Sequence, residues 1–235
     1  MTTPAVMIDL AGVRKTYHKG DVAVTPLDGA DLRVEAGEFL VLMGPSGSGK
    51  STLLNLIAGI DRPTAGRVTV DGADITDWPE DRLAVWRRRA VGYIFQQFNL
   101  MPVLTARENI ELPLLLLNLS REKRRQQVTT ALALVGLADR AGHYPRQLSG
   151  GQEQRVAIAQ ALATDPRLIL ADEPTGALDR DAAAAVLDLL RQLNTRFGKT
   201  VVMVTHDPQA AACATRLLHL EKGRFVDTVA GGAPC

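Results

Sequence analysis

Residues 44 to 51 read Gly-Pro-Ser-Gly-Ser-Gly-Lys-Ser, preceded by the apolar run Phe39-Leu40-Val41-Leu42-Met43 and followed by Thr52-Leu53-Leu54-Asn55-Leu56-Ile57-Ala58. The spacing matches G-x-x-x-x-G-K-[ST], and the flanks supply the strand, glycine-rich turn and helix that this phosphate-binding loop requires. Gly44, Gly47 and Gly49, with Pro45, Ser46 and Ser48 between them, let the backbone turn tightly and aim successive amides at phosphate oxygens. The helix opening at Lys50, Ser51 and Thr52 adds its positive dipole end. Lys50 is placed to reach β- and γ-phosphates as a point charge, and the Ser51 hydroxyl to ligate a Mg²⁺ that bridges them.

A chain of 235 residues with 46% hydrophobic content suits one large domain, or one domain with an insertion, around a packed core. The formal net charge of +1 creates no demand for a polyanionic partner, so no nucleic-acid partner is expected. Cys213 and Cys235 lack CxxC spacing or neighbouring histidines, so reduced thiols are expected and neither a disulfide framework nor a zinc site. The longest apolar patch, Leu112 to Leu119, is broken by Pro113 and Asn118 and is too short to cross a bilayer. Membrane association is therefore expected through a partner, without direct insertion.

Before the loop, residues 5–13 and 30–34 alternate apolar and polar side chains and read as two antiparallel strands, with Tyr17 between them. A tyrosine there either fills surface or stacks its flat face on a purine. After the loop helix come a short strand at Arg67 to Val70 and an arginine-rich helix over residues 81–89. Arg87 to Arg89 read as a solvated face of that helix. The strand at residues 90–95 delivers Gln96, whose amide is placed to contact a metal or a water. From about residue 101 to 164 helical patterns replace strands, with Thr105 and Ser120 as N-caps, which reads as a helical subdomain inserted into an α/β core.

Within that stretch Leu148-Ser149-Gly150-Gly151-Gln152 opens a helix. This is either an ordinary capped start or a second anion site. The buried-type strand at residues 167–171 ends on Asp172-Glu173-Pro174, where an open α/β sheet binds its ligand. Successive strand residues point to opposite sides, so the two carboxylates are suited to different jobs, Asp172 approaching Mg²⁺ and Glu173 polarising an attacking water; a plain strand-end turn is the other reading. A helix over residues 181–197 capped by Gly198 follows, then a strand at residues 200–205 that brings His206 to the same sheet edge. A hairpin and a frayed end at residues 231–235 complete the chain.

The ordered set of the loop at 44–51, Gln96 in FQQFNL, LSGGQ at 148–152, LILADEP at 168–174, Ala177-Leu178-Asp179 and His206 resembles the nucleotide-binding subunit of an ATP-binding cassette transporter over essentially the whole chain. The spellings FQQFNLMPVLTARENIELPL and ADEPTGALD look most like the branch containing LolD, MacB and FtsE. The resemblance implies an α/β fold: a P-loop NTPase (RecA-like) core at about 1–97 and 165–230, an antiparallel β subdomain, and an inserted α-helical subdomain at about 98–164. It implies ATP and Mg²⁺ as cofactors, Tyr17 stacked on adenine, Gln96 near the metal with Ser51 and Asp172, and Glu173 as catalytic base. His206 falls at the γ-phosphate, Ser149 to Gln152 form the signature motif, and Asp179 is the acid of the loop beside it. It also implies an ATP-bound head-to-tail homodimer, transmembrane permease subunits as partners, and a place on the cytoplasmic face of the membrane. A soluble cassette acting on nucleic acid or ribosomes is the alternative, disfavoured by the absence of tandem cassettes, long coiled coils or a strongly basic face. Two departures stand out: Glu153 where the family usually has glutamine, and Gln160 where arginine is frequent. Glu153 favours the free helix and opposes closure on a phosphate.

Overall fold

A computed structural model describes residues 5–20 and 22–227. Strand β1 (Val6–Lys19) pairs antiparallel with β2 (Val22–Glu35) on one side and β4 (Ala65–Val70) on the other, and β5 (Ala73–Asp74) completes this sheet in the order β2-β1-β4-β5. The second sheet runs β10-β9-β3-β8-β7-β6, with β3 (Phe39–Met43), β6 (Val91–Ile94), β7 (Leu168–Asp172), β8 (Thr200–Val204) and β9 (Arg216–Glu221) parallel. Strand β10 (Arg224–Asp227) returns antiparallel to β9 as the second arm of the expected hairpin.

The parallel strands are near-continuous apolar runs because both faces of their sheet are covered. Leu40, Leu42, Leu168, Leu170, Val202 and Val204 join one core, with the antiparallel sheet and Leu53, Leu54, Leu56 and Ile57 of α1 (Lys50–Ile57). Their alternate neighbours Phe39, Val41, Ile169, Ala171, Val201 and Met203 enter a second core. There they meet α3 (Ala106–Leu115), α4 (Arg121–Leu134), α5 (Gly150–Leu162) and α6 (Arg180–Phe197). Helix α2 (Glu80–Ala90) packs beside β6, and the short α7 (Pro208–Ala211), opened by Asp207 as N-cap with Pro208 in its first turn, follows β8. Every carboxyl end of the parallel strands thus opens on one edge, the edge that a P-loop sheet uses for ligand.

Thr105 and Ser120 cap α3 and α4 as expected, Thr105 within a full capping box. Gly198 caps α6 in the left-handed region at φ 63. The first two strands differ from their reading. Each is 14 residues long, and register shifts around Gly12 and beyond break the alternation that a pattern search needs. Tyr17 therefore lies on β1, opposite Val24, instead of between strands. Arg87 and Arg88 are not simply solvated either. Arg87 bonds the Gly59 carbonyl and pairs with Glu80 at 2.8 Å, and Arg88 donates to the Leu116 carbonyl at 2.6 Å. The expected fraying of residues 231–235, the end of the last strand beyond Asp227, and Cys235 lie outside the described residues.

Candidate active site

The turn between β3 and α1 is built by close backbone approach. A Cβ on Gly44 would collide with the Leu220 carbonyl, and one on Gly49, at φ 104, with the Pro26 carbonyl. Gly49 is also the N-cap of α1 and offers no side chain to its first amides, which remain available to an external acceptor. Lys50 is only 9% exposed and lies along the loop, donating to the carbonyls of Gly44 at 2.8 Å and Pro45 at 2.9 Å.

Around this turn is a cleft of about 610 Å³ lined by Tyr17, Val24 and Pro26 on one side, and Gly44, Ser46, Gly47, Gly49, Lys50, Ser51 and Thr52 along its base. Gln96, Asp172, Glu173, Val204 and His206 complete the wall. The edge of the sheet thus brings the P-loop, the paired carboxylates, the glutamine and the histidine to one place, as their spacing leads one to expect. Pro45 and Ser48 belong to the same turn, with Ser48 buried.

Ser51 Oγ donates to Asp172 Oδ1 at 3.1 Å. Burial, and secondarily the charge of Glu173, raise the Asp172 carboxyl above its ordinary value despite the Ser51 hydroxyl and Lys50 acting the other way. A second cation beside Asp172 would relieve that penalty. Two hard oxygen donors side by side, with Gln96 near, fit Mg²⁺, which is held by one or two protein groups plus phosphates and water. Among the described residues no group of three or more His, Cys, Asp or Glu is arranged to cage a metal by itself.

Strand β7 ends at Asp172, and Glu173 turns out of it with φ 50 in the left-handed region, its amide donating to the Val204 carbonyl at 2.9 Å. The expected separation of the two carboxylates thus comes from a backbone turn, not from strand alternation. Glu173 Oε2 lies 2.9 Å from His206 Nδ1. That contact and the carboxylate charge raise the exposed imidazole above 6.5. A raised folded-state value means the pair's contribution is complete below the ordinary histidine pKa and is lost as pH rises through the raised one. An NMR titration of His206 is expected to show a midpoint above 6.5 in the native protein and a fall toward 6.5 in Glu173→Gln; an unshifted native midpoint would count against the pairing.

Ser149, Gly150, Gly151 and Gln152 do not line this cleft. Ser149 and Gln152 form a capping box, Ser149 Oγ accepting from the Gln152 amide at 3.3 Å and Gln152 Oε1 from the Ser149 amide at 2.9 Å. Gly151 packs on Ala182, at the start of α6 that Asp179 caps by accepting from the Ala182 amide at 2.8 Å. Glu153, the first departure, is raised by burial. Gln160, the second, donates to the Asn109 carbonyl at 3.0 Å and so ties α5 to α3.

One residue escaped the sequence reading. Gln154 is 0% exposed, and its amide donates to the Pro174 carbonyl at 2.7 Å and lies 3.5 Å from that of Phe95. It joins α5 to the turn after Glu173 and to the residue before Gln96. The only signal in the chain is a glutamine where helical periodicity asks for an apolar residue.

A six-stranded, mostly parallel sheet with a glycine-rich phosphate turn at its carboxyl edge defines a P-loop nucleotide-binding protein. Residues 27–176, well over half the chain, match the family model described as ABC transporter, and the chain belongs to that family of ATP-hydrolysing cassettes. It is 46% identical to the ABC transporter ATP-binding protein YknY of Bacillus subtilis over 96% of this chain and 97% of that one. It is 45% identical over 96% of its length to the macrolide export ATP-binding/permease protein MacB of Hyphomonas neptunium, of which it spans 35%. Among solved structures it resembles the ATP-binding cassette MJ0796, in a dimeric post-hydrolysis state bound to ADP and Pi, with a TM-score of 0.86, 47% identity and coverage of 93% and 96%.

Proposed function

We propose that this chain is the ATP-hydrolysing subunit of a MacB-like export transporter, and that two copies close head to tail so that each cleft faces Ser149 to Gln152 of the other copy. The observation that supports this reading most directly is the position of that helix start. It lies outside the cleft that holds Lys50, Asp172, Glu173 and His206, so each chain carries two parts of a site that it does not bring together. The solved relative with ADP and Pi is itself dimeric, and in MacB an ATP-binding segment and a permease share one chain.

In this reading Tyr17 stacks on adenine and the amides of residues 44–52 with Lys50 hold the phosphates. Ser51, Gln96 and Asp172 would hold Mg²⁺, which would supply neutralising charge for the phosphates. Glu173 accepts a hydrogen bond from a water and aims its oxygen at the γ-phosphorus, opposite the bridging oxygen. A P–O bond forms on the water side as the bond to the ADP oxygen breaks, and the water's proton passes to phosphate or carboxylate. His206, paired with Glu173, holds a γ-phosphate oxygen. The reaction yields ADP and inorganic phosphate, and loss of the phosphate removes what held the two copies together.

Among the described residues no helix is long and apolar enough to cross a membrane. We assign the permease contact to a groove of about 820 Å³ between α2, β6, α3 and α5, lined by Arg88, Tyr93, Phe95, Leu115, Leu116 and Gln160. Its exposed leucines and Phe95 are the surface such a contact would bury. Docking there places the chain on the cytoplasmic face of the membrane, with residues 98–164 as the helical part that passes closure to the permease.

Gly150→Asp tests the composite site. The nearest atoms to a Cβ there, on Leu178 and Phe98, are 3.8 Å away, so the chain accepts the side chain, and an acidic residue suits a helix N-terminus. The expected result is unchanged ATP binding by the single chain with ATPase activity reduced about 100-fold or more, because a carboxylate then faces the partner's γ-phosphate. Full activity would sink the head-to-tail reading.

A further inference from the structure

We propose that Lys15 and Asp61 are positioning residues that pre-set the Tyr17 ring and fix how far the base platform stands from the phosphate-binding turn. The inference rests on the reading of Tyr17 as the residue that stacks on adenine. Tyr17 is 41% exposed and forms the cleft wall beside Val24 and Pro26. Its hydroxyl donates to Asp61 Oδ2 at 2.6 Å, and the Thr52 hydroxyl also faces it. Lys15 Nζ stands 4.7 Å from the ring centroid and covers one face, so the ring has a single face to offer a base.

Lys15 is itself fixed. Its ammonium donates to Asp61 Oδ1 at 2.6 Å and to the Arg62 carbonyl at 2.8 Å. One carboxylate thus divides its two oxygens between the phenol and the ammonium, and the same Oδ1 accepts from the Arg62 amide at 2.7 Å. The loop that carries Asp61 is laced to β1 on either side of Lys15. The Thr64 amide donates to the Arg14 carbonyl at 2.7 Å, and the Thr16 amide to Thr64 Oγ1 at 2.9 Å.

The topology gives these contacts a use. Helix α1 begins at the phosphate-binding amides and the chain that leaves it reaches Asp61, so one short helix connects the phosphate cradle to the clamp on the base platform. Tyr17 comes from a different sheet, on β1, and the other ties of that sheet to the cradle are core packing on α1 and the approach of the Pro26 carbonyl to Gly49; the clamp is the tie made through the phenol itself. The Lys15–Asp61 pair is partly buried, with side chains at 13% and 27% exposed. What it supplies is a ring already immobilised, so that ATP does not have to order it on binding.

Titration calorimetry of the full chain with ATP and with inorganic tripolyphosphate separates base recognition from phosphate recognition. Asp61→Ala and Lys15→Met are expected to weaken ATP binding by about 3- to 10-fold, the size of effect that follows when one rotamer-rich contact must be ordered on binding. Tripolyphosphate affinity should not change, the KM for ATP should rise while kcat is retained, and Lys15→Arg should restore ATP affinity. Asp61→Ala added to Tyr17→Ala should cause no further loss, because the clamp acts only through the ring. An equal loss of tripolyphosphate affinity overturns the proposal, since the variant then damages the phosphate turn. Undiminished ATP affinity in Asp61→Ala and Lys15→Met, with Tyr17→Ala weakened, also overturns it while leaving the platform in place. If Tyr17→Ala itself binds ATP normally, the platform reading fails and the clamp has nothing to position.

Discussion

Glu173→Gln is expected to lower ATP hydrolysis by about 10²- to 10⁴-fold, the range for losing a positioned general base, while ATP still binds. The amide keeps the volume and the hydrogen-bonding reach of the carboxylate but neither accepts a proton nor carries charge. The left-handed turn at φ 50 and its amide bond to the Val204 carbonyl belong to the backbone and persist. Two further changes follow from the electrostatics. Asp172 loses one of the influences that raise it, and His206 loses the principal one. With a negative charge removed from the cleft wall and the chemistry stopped, ATP should drive the variant into a species of twice the chain's mass on gel filtration. Wild-type turnover in this variant would remove Glu173 from the chemistry; a chain that stays single with ATP bound would count against the closed pair.

Lys50→Ala is expected to fail at an earlier step. The ammonium is nearly buried and directed along the glycine-rich turn by two carbonyls, and in the proposed reading its charge stands beside the β- and γ-phosphates. A unit charge pair at about 4 Å contributes on the order of 4 kcal/mol at the effective dielectric of such a site, which corresponds to about a 1000-fold change in affinity. Part of this is offset by the cost of desolvating the phosphates, so a loss of about 100-fold in ATP affinity is the expected calorimetric result. Gly44 and Pro45 are partly open to solvent, and water can take over their carbonyls. The thermal melting temperature of the variant without nucleotide should therefore change little, and unchanged ATP binding would overturn the assignment of the loop.

The contrast between what the chain's pattern disclosed and what it concealed follows the range of the interactions. The P-loop, the apolar strands β3, β7 and β8, and the caps at Thr105, Ser120 and Gly198 are set by neighbours a few residues apart, and each was legible. The carboxyl edge where Gln96, Asp172, Glu173 and His206 meet was legible as well, because parallel strands of a buried sheet all end on one side. The length of β1 and β2 was not, since bulged register erases a period of two. Nor was the turn at Glu173, because a glutamate in the left-handed region has no compositional marker and is held by β8. Arg87 and Arg88 read as solvated because the carbonyls of Gly59 and Leu116 that they reach are 28 residues away in each case. The Lys15–Tyr17–Asp61 clamp spans 44 to 46 residues, and only the fold brings its ends together.

Gln154 gives α5 a mechanical character. Hydrogen bonds between nitrogen and oxygen hold over a range of only about half an ångström. If α5 swings against the parallel sheet by more than that, it must either pull Pro174 along or leave a buried amide without its acceptor, at a cost of about 1–3 kcal/mol. The same side chain lies near the Phe95 carbonyl, one residue before Gln96. The start of the helix that bears Ser149 to Gln152 is therefore tied to the turns that carry Glu173 and Gln96: a push on that helix is felt, through one side chain, at both.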